Sequence, residues 1–177
     1  MQKIPTPVFA ANLTAMRSVC LEGQGRVSEL FLLDGKRVYD PRRNRAILEA
    51  MARHYAVDLV ALRQRCSRLL HGRNYLPLPL SSEMVLVPLA LGKCGERTGY
   101  LNLLAVRAVH PQGKGSRVEL EGGNVVECAL SVASLRNRLL RAQLVLRELE
   151  RGGMLSRQGN PSLRQMLDLI RAVLAQE

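Results

Sequence analysis

The segment from residue 75 to residue 130 constrains the fold most, because its short apolar runs are separated by prolines and glycines. Proline cannot donate a hydrogen bond within a sheet, so three residues predict edge or bulged strands: Pro77, Pro79 and Pro88. Residues 101–109 are almost wholly apolar and predict a central strand. Glycines predict a loop at residues 113–115 and a hairpin turn at residues 122–124. We therefore expect an antiparallel, strand-rich core.

The part of the chain before this segment combines one hairpin pattern with two helical patterns. Residues 1–26 are expected to be irregular or partly helical. An Asp-Gly pair at residues 34–35 stands between apolar runs and predicts a hairpin, because both residue types tolerate a positive φ. From Arg43 apolar residues recur at helical spacing, and Asp58 predicts the N-cap of a second helix that Gly72 ends.

Two more helices are predicted after the strand-rich segment. Ser131 can accept hydrogen bonds from a first helical turn, and apolar residues follow it at spacings of three and four. A linker and a last amphipathic helix are expected over residues 152–177, where Asn160 and Pro161 form a strong helix start. The predicted fold class is therefore α+β, with helices before the antiparallel core and two C-terminal helices. Residues 1–151 are expected to form a single domain.

The chain is strongly basic. Its 177 residues carry a net charge of +11, and 22 of the 26 basic residues are arginines. A guanidinium group offers a planar fork of donors that suits phosphate oxygens, so nucleic acid is the expected partner. Genome composition could also favour arginine, but it would not explain the excess over the 15 acidic residues. Aromatic residues make up only 3% of the chain, so recognition by base stacking is not expected.

Few residues suggest catalysis or metal binding. The three histidines lie in different contexts, and no metalloprotease, nucleophile-elbow or phosphate-loop motif occurs. The cysteines are far apart in the sequence, so we expect reduced thiols without disulfides or structural zinc: Cys20, Cys66, Cys94 and Cys128. We expect a protein that is not an enzyme and that uses no cofactor and no metal.

The sequence has no apolar run long enough for a transmembrane helix. Residues 1–9 hold two prolines and lack the apolar centre of a signal peptide. We therefore expect a cytoplasmic protein without membrane contact, associated with the nucleoid if DNA is its partner.

Two arginine-rich stretches are candidates for a binding surface. The first, residues 42–73, has eight arginines against two acidic residues, and its helices around Asp58 resemble a helix-turn-helix in outline. The second is the helix after Ser131. For both stretches the alternative interpretation is a solvated helix surface. The predicted DNA-binding residues are Arg63, Arg65, Arg68, Arg73, Arg136, Asn137, Arg138, Arg141 and Arg147.

Six short features follow one another between Cys66 and Leu149. They are a Gly-Arg pair, a proline-flanked pair of strands, an aromatic-apolar-polar triplet, a Gly-Asn turn, a serine before a helix and an asparagine followed by basic residues: residues 72–73, 76–90, 100–102, 123–124, Ser131 and Asn137. Their order resembles the ComK family of competence transcription factors of Gram-positive bacteria.

This resemblance implies a transcriptional activator that binds paired AT-rich boxes, largely through the minor groove. The narrow minor groove of AT tracts attracts guanidinium groups, and paired boxes imply a homo-oligomer, a dimer or larger. The C-terminal helix is a candidate for that contact or for docking a regulatory protein. Two alternatives stay open: an RNA-binding or ribosome-associated basic protein, and a protein-interaction module that oligomerises through its C-terminal helix.

Overall fold

The computed structural model describes residues 2–153. Within them the chain forms a six-stranded sheet, a three-stranded sheet and four α-helices, so the fold is α+β, as predicted. All strand pairs are antiparallel. The predicted last helix, after Asn160, lies outside the described residues. In residues 2–153, no helix combines the length and the apolar character that crossing a membrane requires.

The larger sheet has the strand order β3-β2-β1-β6-β5-β4. Its strands are β1 Leu13–Leu21, β2 Gly25–Leu32, β3 Arg37–Asp40, β4 Leu78–Pro79, β5 Val85–Ala90 and β6 Thr98–Asn102. The Asp-Gly pair at residues 34–35 joins β2 to β3 as predicted, with Gly35 at a φ of 81°. Strand β4 has only two residues, so most of β5 lies at the edge of the sheet, as its proline predicts.

Strand β1 corrects the expectation that residues 1–26 are irregular or partly helical. Helix α1, Thr6–Phe9, is short, and β1 pairs with both β2 and β6 in the middle of the sheet. Polar side chains interrupt the apolar pattern of β1 but are buried with partners: Arg17 Nε donates to Glu29 Oε2 at 2.7 Å. Glu29 lies on β2, so the pattern of β1 alone does not show that Arg17 is buried.

A break at Leu103–Ala105 transfers the chain from the larger sheet to the smaller one. One 3-10 turn forms there, so residues 101–109 are not the single central strand predicted. Asn102 holds the break in place, because its Oδ1 accepts from the amides of Val85 at 3.2 Å and Leu104 at 3.3 Å. The smaller sheet has the order β7-β8-β9, with β7 Val106–Gln112, β8 Gly115–Leu120 and β9 Val125–Cys128. Both predicted turns lie between these strands.

The longer helices are α2 Asn44–His54, α3 Leu59–Leu70 and α4 Val132–Arg151. Asp58 is the N-cap of α3, as predicted, and its side chain accepts from first-turn amides at 2.7 and 3.1 Å. Ser131 is the predicted N-cap of α4 and accepts at 3.3 Å. Helix α3 ends at His71, whose φ of 48° is left-handed, one residue before the predicted Gly72.

Three apolar clusters hold the layers together. One face of the larger sheet packs on α1 and α2 around Met16, and the other packs on the smaller sheet and α4 around Leu101. The third cluster joins α3 to α4 and consists of Cys66, Leu76, Val145 and Leu149. Burial of each large apolar side chain contributes about 1.5–3 kcal/mol, so this third cluster helps to keep the two arginine-bearing helices side by side.

Cys20 and Cys94 form a disulfide, which corrects the expectation that all four cysteines are reduced thiols. Their Cα atoms are 5.6 Å apart, and the two segments are also joined by a hydrogen bond from the Lys93 amide to the Ser18 carbonyl at 3.0 Å. The other two cysteines are buried free thiols, as expected, and burial raises the pKa of Cys66 to about 11.

Candidate nucleic-acid interface

Helices α3 and α4 bring together parts of the two arginine-rich stretches that the sequence predicts separately. The residues after α3 run beside α4, because Leu76 packs in the same apolar cluster as Val145. Helix α3 packs mainly against β4 and α4, whereas α2 packs mainly against α1 and β1. Helices α2 and α3 therefore pack mainly against different elements. In a helix-turn-helix, as the sequence suggests in outline, the two helices would form one unit.

A pocket of about 210 Å³ lies next to this junction. Two arginines and two tyrosines line it, namely Arg63, Arg73, Tyr75 and Tyr100, and the remaining lining includes Leu76, Leu78 and Pro88. Two arginines of α4, Arg138 and Arg141, contact the segment that carries Arg73 and Tyr75. We call the surface formed by Arg63, Arg73, Tyr75, Tyr100, Arg138 and Arg141 the α3–α4 groove.

Arg138 connects α4 to the pocket. Its guanidinium carbon lies 3.8 Å from the centre of the Tyr75 ring, in cation–π contact. Its Nη1 also donates to the Pro88 carbonyl at 3.0 Å. That carbonyl is available because β4 pairs with β5 only at Val85 and Leu86. The open edge of the sheet thus fixes the position of Arg138.

Gly72 gives Arg141 the room to approach. A Cβ atom on Gly72 would stand 3.2 Å from Nη2 of Arg141, closer than most such contacts in proteins. Sequence reasoning assigns Gly72 to the end of α3, but His71 takes the left-handed conformation there. The glycine instead allows the backbone after α3 to lie against the Arg141 guanidinium.

Tyr100 is a partly buried residue of the pocket and interacts with Arg63. Burial raises the pKa of the Tyr100 hydroxyl, and the nearby Glu96 adds to this effect, although the charge and hydrogen bond of Arg63 oppose it. The hydroxyl is therefore protonated at neutral pH and can donate a hydrogen bond. The pocket combines such a donor with guanidinium groups and an apolar floor.

The charges of the groove are not neutralised from within. In the described part of the chain, the arginines of the groove have no carboxylate within 4.0 Å, whereas Arg17 and Arg42 each lie 2.7 Å from a buried carboxylate. An arginine already paired with a carboxylate has little to gain from an anionic ligand. The groove is therefore a surface where phosphate oxygens would meet several unneutralised guanidinium groups close together.

The other predicted DNA-binding residues lie elsewhere. Arg65 lines a different pocket of about 190 Å³ beside Leu149, and Arg68 is exposed on α3. A helix turns by about 100° per residue, so Arg136 and Arg147 lie on the side of α4 opposite Arg138. Four of the nine predicted residues are thus brought together, Arg63, Arg73, Arg138 and Arg141, while Asn137 is exposed outside the groove.

Tyr75 and Tyr100 are candidate site residues that sequence reasoning misses. In the sequence, the aromatic residues are too few and too scattered to predict stacking. The fold nevertheless places these two in one pocket, Tyr75 from a loop and Tyr100 from β6. Tyr75 has a signal only in the structure: its φ is 53°, and 57% of the residue is exposed. An exposed tyrosine in a left-handed backbone is uncommon.

In residues 2–153, no group of three histidine, cysteine or acidic side chains is arranged to hold a metal ion.

Comparison of the chain with protein-family models, with curated proteins and with solved structures gave no match. The chemistry of the α3–α4 groove therefore carries the functional argument.

Proposed function

We propose that this protein is a sequence-preferring, double-stranded DNA-binding transcriptional regulator that contacts phosphates through the α3–α4 groove. The observation that carries the proposal is the convergence of four arginines, without carboxylate partners among the described residues, at the junction of α3 and α4. The resemblance to the ComK family of competence activators adds the expectation of paired AT-rich boxes. A homo-oligomer and a cytoplasmic, nucleoid-associated location belong to the same proposal, and the Cys20–Cys94 disulfide would be an exception among cytosolic proteins, where thiols are usually reduced.

Electrostatics supply most of the affinity in this proposal. The net charge of +11 attracts a polyanion from any direction, and the groove gives that attraction a fixed site. AT tracts have a narrow minor groove of enhanced negative potential, which favours inserted guanidinium groups over the compact ammonium of lysine. The preference of this chain for arginine over lysine fits that mode of binding.

The test is a fluorescence-anisotropy titration of three duplexes at several salt concentrations: an AT-box DNA, a GC DNA of equal length and an A-form RNA. We expect the AT duplex to bind most tightly. The double variant Arg63→Ala/Arg73→Ala should bind more weakly, and its log–log salt dependence should be shallower by about 1.8, or about 0.9 for each phosphate that is no longer neutralised.

A control with the same change of net charge separates the groove from general attraction. Arg107→Ala/Arg117→Ala removes two exposed arginines of the smaller sheet, each within about 3.3 Å of a glutamate. This control should keep the affinity and the AT preference. Equal binding of all three duplexes would reduce the proposal to a general polyanion surface. Preference for the RNA duplex would favour ribosome or RNA association, and no binding would favour a protein-interaction module.

A further inference from the structure

We propose that the pocket of the α3–α4 groove receives one unstacked nucleobase together with its adjoining phosphate, with Tyr75 as the stacking platform. This inference rests on the proposed function, because it assigns a ligand to the same groove. It goes beyond phosphate contact, since it gives the pocket a way to detect a base that has left the helical stack.

The position of Tyr75 is the first observation. Its φ of 53° is left-handed, which tyrosine rarely adopts, yet 57% of the residue is exposed. Burial of the ring therefore does not explain the strained backbone. Strained residues cluster at binding sites, where the rest of the structure holds them in place. Such a conformation is expected where the direction of the ring matters more than local stability.

The position of Arg138 is the second observation. Its guanidinium group covers one face of the Tyr75 ring at 3.8 Å and is itself fixed by the Pro88 carbonyl at 3.0 Å. The ring is thus held from one side, while its exposure leaves the other side open. A base stacked on that open face would complete an Arg–Tyr–base sandwich, and every base has the π-face that this requires.

The composition of the pocket is the third observation. Its apolar lining of Leu76, Leu78 and Pro88 suits the flat faces of a base, and the protonated hydroxyl of Tyr100 can donate to a base edge. Arg63 and Arg73 stand in the same lining and suit the attached phosphate. A site for phosphate alone would need no apolar floor.

The size of the pocket limits the ligand. A volume of about 210 Å³ is below the roughly 300–1,000 Å³ of pockets that hold drug-sized ligands. A single base is small enough for a pocket of this volume, whereas a duplex can only lie across the opening. A base in a duplex must first unstack, and this costs least where it is bulged or mismatched. The inference therefore predicts a preference for DNA with an unpaired base.

The experiment uses the full chain and two AT-box duplexes that carry 2-aminopurine, one fully paired and one with the analogue in a single-nucleotide bulge. We expect the bulged duplex to bind at least about fivefold more tightly, with quenching of 2-aminopurine fluorescence by the stacked ring. Tyr75→Ala should abolish this advantage and the quenching, while Tyr75→Phe, which keeps the ring, should retain both.

The control variant is Tyr39→Ala, which removes another exposed tyrosine, on β3 and away from the pocket lining. It should keep the bulge preference, and circular dichroism should show that all variants are folded. Deoxyadenosine monophosphate serves as the second source of the same chemistry. The readouts are quenching of the tyrosine fluorescence of the protein by the nucleotide and competition of the nucleotide with the bulged duplex. If either effect depends on Tyr75, the pocket binds a base and phosphate from a free nucleotide as well.

The outcomes separate this inference from the proposed function. If the paired duplex binds and Arg63→Ala/Arg73→Ala weakens it, but the bulge gives no Tyr75-dependent advantage and the free nucleotide does not bind, the base pocket is wrong and the DNA proposal stands. If no duplex binds but the nucleotide binds through Tyr75, the base pocket stands and the DNA proposal fails. If neither ligand binds, both fail.

Discussion

Arginine serves two purposes at the level of single residues. Arg17 and Arg42 are largely buried, with guanidinium nitrogens 2.7 Å from Glu29 and Asp40. Removing one member of such a pair would leave an uncompensated buried charge, so replacing either arginine alone should destabilise the fold. The arginines of the α3–α4 groove have no such partner in residues 2–153, and Arg138 instead contacts a ring and a carbonyl. Net charge alone does not distinguish these two groups.

The backbone of Tyr75 gives a prediction at this scale. Glycine normally destabilises a protein relative to alanine, but at a φ of 53° alanine carries strain that glycine does not. We therefore expect Tyr75→Gly to have a free energy of unfolding about 0.5–1 kcal/mol higher than Tyr75→Ala, measured by urea denaturation. At Tyr39, within strand β3, the same two substitutions should rank in the usual order. Greater stability of the alanine variant at position 75 would contradict this account.

At the scale of elements, the turns and helix starts that depend only on neighbouring residues could be predicted from the sequence. The hairpin at residues 34–35 and the N-caps Asp58 and Ser131 need only their neighbours, and all three are confirmed. Strand β1 and the break at Leu103–Ala105 could not be predicted from their own patterns. Strand β1 pairs with the distant β6 as well as with β2, and Asn102 at the break accepts from the amide of Val85 on β5. Their local patterns resemble an irregular lead and a continuous apolar strand.

The candidate site divides in the same way. Its arginines could be selected from charge and helical spacing, but their grouping depends on the packing of α3 against α4 through Cys66 and Val145. Helical spacing puts the predicted residues of α4 on two sides of the helix, and that packing brings the side with Arg138 and Arg141 to the groove. The packing also places Tyr75 near Tyr100, which no spacing in the sequence indicates.

Asp40, at the end of β3, attaches the N-terminal segment to the larger sheet. Its Oδ2 accepts from the Ile4 amide at 3.0 Å, and Arg42 Nη2 donates to the Ile4 carbonyl at 2.7 Å. Burial would raise the pKa of Asp40, but the hydrogen bonds from Arg42 and Ile4 and the charge of Arg42 together lower it below its ordinary value of 3.8. A carboxylate with a lowered pKa stabilises the folded state at pH values above that ordinary pKa.

We therefore expect the Asp40 contribution to be complete at neutral pH and to be lost as the pH falls below about 3.8. Asp40→Asn should lower the free energy of unfolding at pH 7, and its difference from the unchanged protein should shrink at pH 3. Urea denaturation at several pH values measures both. Asp34→Asn is the control, because Asp34 pairs with Lys36 on the surface and should contribute little. An equal difference for Asp40→Asn at pH 7 and pH 3 would be against this assignment.

At the scale of the whole molecule, the larger sheet is assembled from distant parts of the chain. Strand β1 pairs with β6, and the disulfide between Cys20 and Cys94 joins the end of β1 to the loop before β6. A cross-link restricts the unfolded chain, and this effect grows with the length of chain it closes. The disulfide therefore acts mainly through the unfolded chain, and so on global stability.

The sequence separation of 74 residues predicts that the disulfide contributes about 4 kcal/mol to the free energy of unfolding. Reduction with dithiothreitol should lower the stability of the unchanged protein in urea by up to this amount. Cys20→Ser/Cys94→Ser should match the reduced protein and should not respond to the reductant. Stability that is the same with and without dithiothreitol would contradict a disulfide in solution. DNA affinity should change little while the protein stays folded.

The order in which the elements follow one another has a consequence for synthesis on the ribosome. Strand β1 is made before its partner β6, which follows only after β2 to β5 and two helices. Arg138 and Arg141 come later still, on α4. A nascent chain that has not yet released α4 would therefore lack half of the arginines of the groove. If the groove binds nucleic acid as proposed, the growing polypeptide would acquire the complete groove only after α4 has been made, which limits premature capture of nucleic acid in this site beside the ribosomal exit.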